Sequence, residues 1–211
     1  MTDTPRRAIP WGRLGIEFLV IVTGVLVALA MDQWAQGRAD EVAAREVLQA
    51  VGSELATNLG FLEDRIEYHT RVQPGLDSLH ALAQSGQRTN LLREAVMPEG
   101  RAFLPLRDTA WQLALITEVV RHLDIDLTST LSLTYGQFES LRELEQVITN
   151  GIVRPEWFAI GADRGGAATF LAVLMEDLVD IEEELARLME ESIRKIRDRL
   201  GDDFVGAAEV S

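Results

Sequence analysis

Cysteine is absent from the 211 residues. That excludes disulfides, thiolate metal sites and cysteine nucleophiles, and it fits either redox compartment. Lysine occurs once, at Lys195, so nearly all basic charge is arginine. Lys and Arg together number 20 against 34 Asp and Glu, a formal charge of −14. So acidic a chain repels phosphate, which argues against nucleic acid or anionic lipid as a partner of its polar part. Histidine is scarce as well, with only His69, His80 and His122. Three histidines leave little choice of general base, and no Ser sits in a nucleophile elbow. Sustained alternation of β-branched residues is missing outside the N-terminal run, so strands are not expected. There is no internal repeat and no low-complexity tract.

What the chain does have is one long apolar run. FLVIVTGVLVALAM, Phe18 to Met31, carries no charge, and Leu14, Gly15 and Ile16 extend it outward. Glu17 is the only ionised side chain between Leu14 and Met31. At 1.5 Å per residue this stretch covers roughly 27 Å, close to the ~30 Å hydrocarbon core of a bilayer. Trp11 and Trp34 bracket it as interfacial anchors, since indole rings prefer the headgroup layer. A rival reading is a secretory signal cleaved after Ala30, because a basic start and Ala28-Leu29-Ala30 fit that pattern too. Glu17, Gly24, Ala28 and the two Trp favour the uncleaved anchor. Pro10 interrupts the positions that a twin-arginine signal at Arg6-Arg7 needs apolar.

The expected organisation is a short leader over 1–13, a transmembrane helix over 14–34, a helical bundle over 35–203 and a frayed tail over 204–211. Arg6, Arg7 and Arg13 precede the span, whereas Arg38 and Arg45 follow it among acidic residues. The positive-inside bias therefore places the N-terminus in the cytoplasm, by a margin of one arginine. In a bacterium the anchor would lie in the inner membrane and the bundle in the periplasm.

From Asp40 the pattern is helical: Val42, Val47, Leu48, Val51, Leu55, Leu59, Leu62 and Ile66 recur at three- and four-residue steps. Glu54, Asn58, Glu63 and Asp64 fall mostly between them, as on a wet face. Pro74-Gly75 should stop this helix near Arg71. Gly37 could loosen its join with the span, but one glycine costs only about 1 kcal/mol, so span and helix can be nearly continuous. Leu76, Leu79 and Leu82 suggest a shorter helix, and Leu91 to Met97 another. Asp108 is the expected N-cap of Thr109 to Val120, with Ala110, Leu113, Ala114 and Thr117 along one side. Asp124 or Asp126 should open the next helix, striped by Leu127, Leu131, Tyr135, Phe138 and Leu141, and Asn150-Gly151 should close it. Trp157 and Phe158 lie in a short segment before Asp163. From Asp163 to Leu200 the stripe Leu174, Leu178, Ile181, Leu185, Leu188 keeps heptad spacing, then shifts phase at Ile193, Ile196 and Leu200. A helix packed lengthwise in a bundle fits better than a dimer zipper. The fold class is all-α: one transmembrane helix and a soluble bundle of four to five helices.

Glu17, Gly24, VLVAL from Val25 to Leu29, and Asp32-Gln33-Trp34 resemble the opening of a family of small bacterial single-span membrane proteins of unknown function. Leu48, Glu54, Leu55 and Asn58 match its next positions, and Thr109-Ala110-Trp111, Leu123 and Leu131 to Tyr135 resemble a second block. The chain departs from the pattern at Ile16 and at Asp32-Gln33. The resemblance implies a single-span anchor with a helical domain. No activity comes with it.

Glu17, Gly24, Ala28 and Met31 fall on one helical stripe, and Gly24-xxx-Ala28 permits close approach of a second helix. This is the expected packing face of the span, with a homodimer or a larger membrane complex as partner beyond the bilayer itself. Glu118 and His122, four apart, would share a helix face as metal ligands, but two residues do not make a site. His69 and His80 look isolated. Glu182-Glu183-Glu184 and Glu190-Glu191 read as the wet side of a helix, near Arg187, Arg194 and Lys195. Trp111 and Tyr135 read as core aromatics. The expected function is non-enzymatic: a single-pass, membrane-anchored bundle acting through helix contacts, with no cofactor. The alternatives are a ligand-binding sensory subunit and a metal-dependent hydrolase centred on Glu118 and His122.

Overall fold

A computed structural model describes residues 11–85, 106–152, 164–201 and 204. Among the described residues there are four α-helices and one short 3₁₀ turn, with no strand. They are α1 (Trp11–Gln84), α2 (Thr109–Ile116), a 3₁₀ turn at Val119–His122, α3 (Ile125–Ile152) and α4 (Arg164–Leu200). The chain divides into two units at Ala43/Ala44.

In the first unit, residues 15–42 are exposed throughout, including Phe18, Leu19, Ile21, Leu26 and Leu29. Among the described residues, α1 is the one helix long and apolar enough to cross a membrane, and none of its apolar window is buried.

In the second unit α1, α3 and α4 bury side chains at strict sevens. Ala44, Val51, Asn58, Arg65 and Val72 form one buried row on α1; Leu48, Leu55, Leu62, His69 and Leu76 form the row four residues on. On α3 the rows are Leu127, Thr134, Leu141, Ile148 and Leu131, Phe138, Glu145, the last partly buried. On α4 they are Met175, Glu182, Met189, Ile196 and Leu178, Leu185, Ser192. A 3.5-residue repeat is the pattern of left-handed knobs-into-holes packing. Cross-helix bonds give the directions. Glu54 meets Tyr135 and Arg65 meets Glu145, so α1 and α3 run parallel. Arg65 meets Glu182 and His80 meets Thr169, so α4 runs antiparallel to α1.

Several expectations are corrected. α1 does not stop near Arg71; it passes Pro74 and absorbs the separate helix expected after it, while its unbroken passage through Gly37 is as expected. Proline removes the bond to the Thr70 carbonyl, but Thr70 is exposed, so water can satisfy it. Val72 and Leu76, 6% and 0% exposed, hold the segment in the core on either side. Packing overrides the breaker.

α2 ends at Ile116, not Val120, because Glu118 takes a left-handed backbone with φ 57°. It turns Trp111 and Ala114 inward and leaves Leu113 52% exposed, contrary to the expected stripe. Asp108 makes no side-chain cap and instead accepts from Arg142 at 3.0 Å. The cap comes from another helix: the Ala110 N–H donates to Glu54 Oε2 at 3.0 Å. Asp124, by contrast, does cap α3, accepting the Leu127 N–H at 2.8 Å. α3 runs through Asn150-Gly151 to Ile152.

α4 starts at Arg164 and ends at Gly201, which adopts φ 63° as expected of a terminating glycine. Glu182 and Ser192 fill the two rows between the apolar positions, and Ile193 and Leu200 are buried beside them. Phe204, placed in the frayed tail, packs its ring against Gly52. A Cβ on that glycine would lie 2.6 Å from Phe204 Cε2, so no larger residue fits without displacing the ring. The helix expected at Leu91 to Met97, and Trp157 and Phe158, lie outside the described residues.

Candidate functional site

The residues singled out in the span all lie on α1. Gly24 is open, with nothing within 4 Å of an added Cβ; Glu17, Ala28 and Met31 are exposed. Trp34 is 66% exposed, with the Arg38 guanidinium 5.3 Å from its ring centre. The side chain of Trp11 lies outside what is described. This face is a surface without any chemistry of its own beyond the carboxyl of Glu17.

The chemistry in the bundle is elsewhere. Glu182, expected on a wet face, is 0% exposed. Its Oε1 accepts from Arg65 Nη2 at 2.7 Å, and its Oε2 lies 2.8 Å from His69 Nδ1. Arg65 also pairs with Glu145 of α3. One buried layer therefore takes an ionisable residue from each of the three long helices. Arg65 and His69 are one turn apart, which lets a single carboxylate span both. A guanidinium offers a fork of donors that suits this bridging better than an ammonium would.

A second polar region sits where α2 joins α1. Asn58, also expected on the wet face, is 0% exposed. Its amide grips the Arg107 backbone both ways, donating to the carbonyl at 2.6 Å and accepting the N–H at 3.0 Å. Tyr135 donates to Glu54 Oε1 at 2.9 Å and stacks on Trp111, ring centres 5.3 Å apart and nearly coplanar. Burial, and then the charge of Glu54, push the Tyr135 phenol above its ordinary range. Both aromatics are in the core, as expected.

Between α3 and α4, Thr134 Oγ1 donates to the Thr130 carbonyl at 2.9 Å and lies 2.9 Å from Ser192 Oγ. Lys195 donates to Thr130 Oγ1 and pairs with Asp126 at 2.6 Å. Hydrogen bonding to Asp126 holds its ammonium above the usual lysine range, against a smaller opposing effect of desolvation.

The pair Glu118 and His122 is not on one helix face. Glu118 is the left-handed junction after α2 and pairs with Arg121 at 3.0 Å; His122 accepts from Arg121 Nε. Among the described residues, no three His, Cys, Asp or Glu come together as a set able to hold a metal ion. His80, expected to be isolated, bonds Thr169 and Gln84. His69 is likewise no isolated residue.

Sequence reasoning missed Asn58, Arg65, His69 and Glu182 because each is polar. The signal that finds them is spacing. Leu55-Leu62-His69-Leu76 and Val51-Asn58-Arg65-Val72 continue unbroken sevens, so the polar members fall at core positions. Compared with family models, curated proteins and solved structures, the chain matches none.

Proposed function

We propose that the chain is a non-enzymatic, single-span membrane protein whose helical bundle acts through helix contacts, as a homo-oligomer or as an accessory subunit of a membrane assembly. One observation carries the reading: the apolar window of α1 is long enough to span a bilayer and none of it is buried. Leaving so many large apolar side chains in water is unfavourable by about 25 cal/mol per Å², and lipid removes that penalty. The likeness of Glu17 to Trp34 to single-span bacterial anchors supports it, as does the indole of Trp34 at the polar border. The arginine bias favours an inner-membrane protein with a cytoplasmic N-terminus and a periplasmic bundle.

Alkaline carbonate extraction of membranes carrying the full chain tests the anchor. The protein stays in the pellet; recovery of the intact chain in the supernatant, or a mature N-terminus at Met31, overturns the reading. Association through the span is tested by crosslinking in a bilayer. Gly24→Leu abolishes the crosslinked species if the Glu17, Gly24, Ala28 and Met31 face is the contact, because it fills the close approach.

A further inference from the structure

We infer that the buried layer of Arg65, His69, Glu145 and Glu182 is a register lock, which selects one axial alignment of the three long helices and is not needed to hold them together. The inference concerns the bundle alone and does not depend on the membrane reading.

The need for a lock follows from the rows. On α1, α3 and α4 the buried positions repeat at strict sevens and are mostly interchangeable aliphatic or Met residues. Sliding one helix by seven residues, about 10.5 Å, again sets apolar against apolar along most of the length. Hydrophobic packing alone distinguishes such alignments weakly.

The ionic layer distinguishes them sharply. With α4 antiparallel to α1, a slip of one heptad one way brings Glu182 opposite the neutral Asn58 and Leu62, and Arg65 opposite Met175. A slip the other way brings Glu182 opposite Leu76 and Arg65 opposite Met189. Either alignment leaves the Glu182 carboxylate in the core without a cation and leaves Arg65 with Glu145 alone. An unpartnered buried charge is strongly unfavourable, whereas replacing a whole buried ionic cluster by apolar residues is often neutral or stabilising. Polar residues at single core positions of coiled coils set register in this way. Here Glu182 is bonded to two α1 residues one turn apart, which fixes rotation as well as translation.

The absence of cysteine makes the test clean, because introduced pairs are the only thiols. In the full chain, H80C/T169C reports the native alignment, since these side chains are in contact. H80C/E176C reports a slip of seven. Each pair is placed in the parent and in R65L/H69L/E145L/E182L, with helicity followed by circular dichroism. In the parent the native pair crosslinks roughly a hundredfold more than the slipped pair, as the stranded carboxylate demands. In the apolar-layer variant the helices remain and that ratio falls to within about tenfold, both pairs forming. A variant that still crosslinks only at the native pair overturns the inference. So does a variant that loses its helices, because the layer would then be holding the fold together.

Discussion

Residues 15–42 and residues 44–76 belong to one helix and follow opposite rules. The first stretch is exposed on every side, and its apolar core has no charge from Phe18 to Met31. The second has a narrow buried seam, yet it carries Asn58, Arg65 and His69 within that seam. A stretch suited to lipid gains from being apolar all round, because every face meets hydrocarbon. A stretch in a bundle gains from a narrow stripe, and polar groups inside it are tolerated when their partners are supplied. Polarity alone does not tell a core residue from a surface one; spacing and partners do.

The comparison predicts that a partner lost in the seam matters more than any other single change to the bundle. Glu182→Leu takes the shared carboxylate from Arg65 and His69, leaves Arg65 with Glu145 alone, and destabilises the bundle by about 3 kcal/mol. A denaturant midpoint measured in detergent checks it, and a midpoint within error of the parent would put Glu182 outside the seam. In the first stretch, under the span proposed above, the largest effect is on insertion. Val25→Lys opposes membrane integration by about 2.5–3.5 kcal/mol. The fraction of chain resisting carbonate drops, while the chaotrope midpoint of the bundle stays unchanged.

Smaller effects sharpen the contrast within the bundle. Tyr135→Phe removes the hydrogen bond to Glu54 and costs about 1 kcal/mol near neutral pH. The native phenol is raised above its ordinary 10.0, so the folded state holds that proton more tightly than the unfolded chain. This contribution is complete below pH 10 and is lost as pH rises beyond it. The parent therefore weakens more steeply than Tyr135→Phe in melts taken above pH 10. Smallest is Glu118→Gly, which relieves a left-handed backbone at an exposed position and stabilises by up to about 1 kcal/mol. A lowered melting temperature would mean that the pairing with Arg121 outweighs the strain.

Much of the architecture was legible in the residues. The apolar window reads directly from composition, because the run from Phe18 to Met31 carries no charge, and the structure leaves it exposed. Asp124 and Gly201 were legible as ends of α3 and α4, because their signals are local. Pro74 misled, because the burial of Val72 and Leu76 decides its helix and burial is not local. Asp108 misled for the same reason, its carboxylate being taken by Arg142. Glu182 reads as wet from its place in an acidic run near Arg187, and Asn58 from its place between the apolar positions. Their partners lie 117 and 49 positions away. The span face Glu17, Gly24, Ala28, Met31 follows from helical spacing, whereas what it meets depends on another molecule.

The borrowed cap of α2 has a consequence for how the molecule assembles. Eight residues are too few to persist as a free helix in water. The acceptor for its Ala110 amide lies 56 positions earlier. α2 therefore condenses only after Glu54 has been brought alongside, as a late passenger on helices that form first. Slow deuterium uptake at Ala110 would report how rarely that contact with Glu54 opens, not the winding of its own turn.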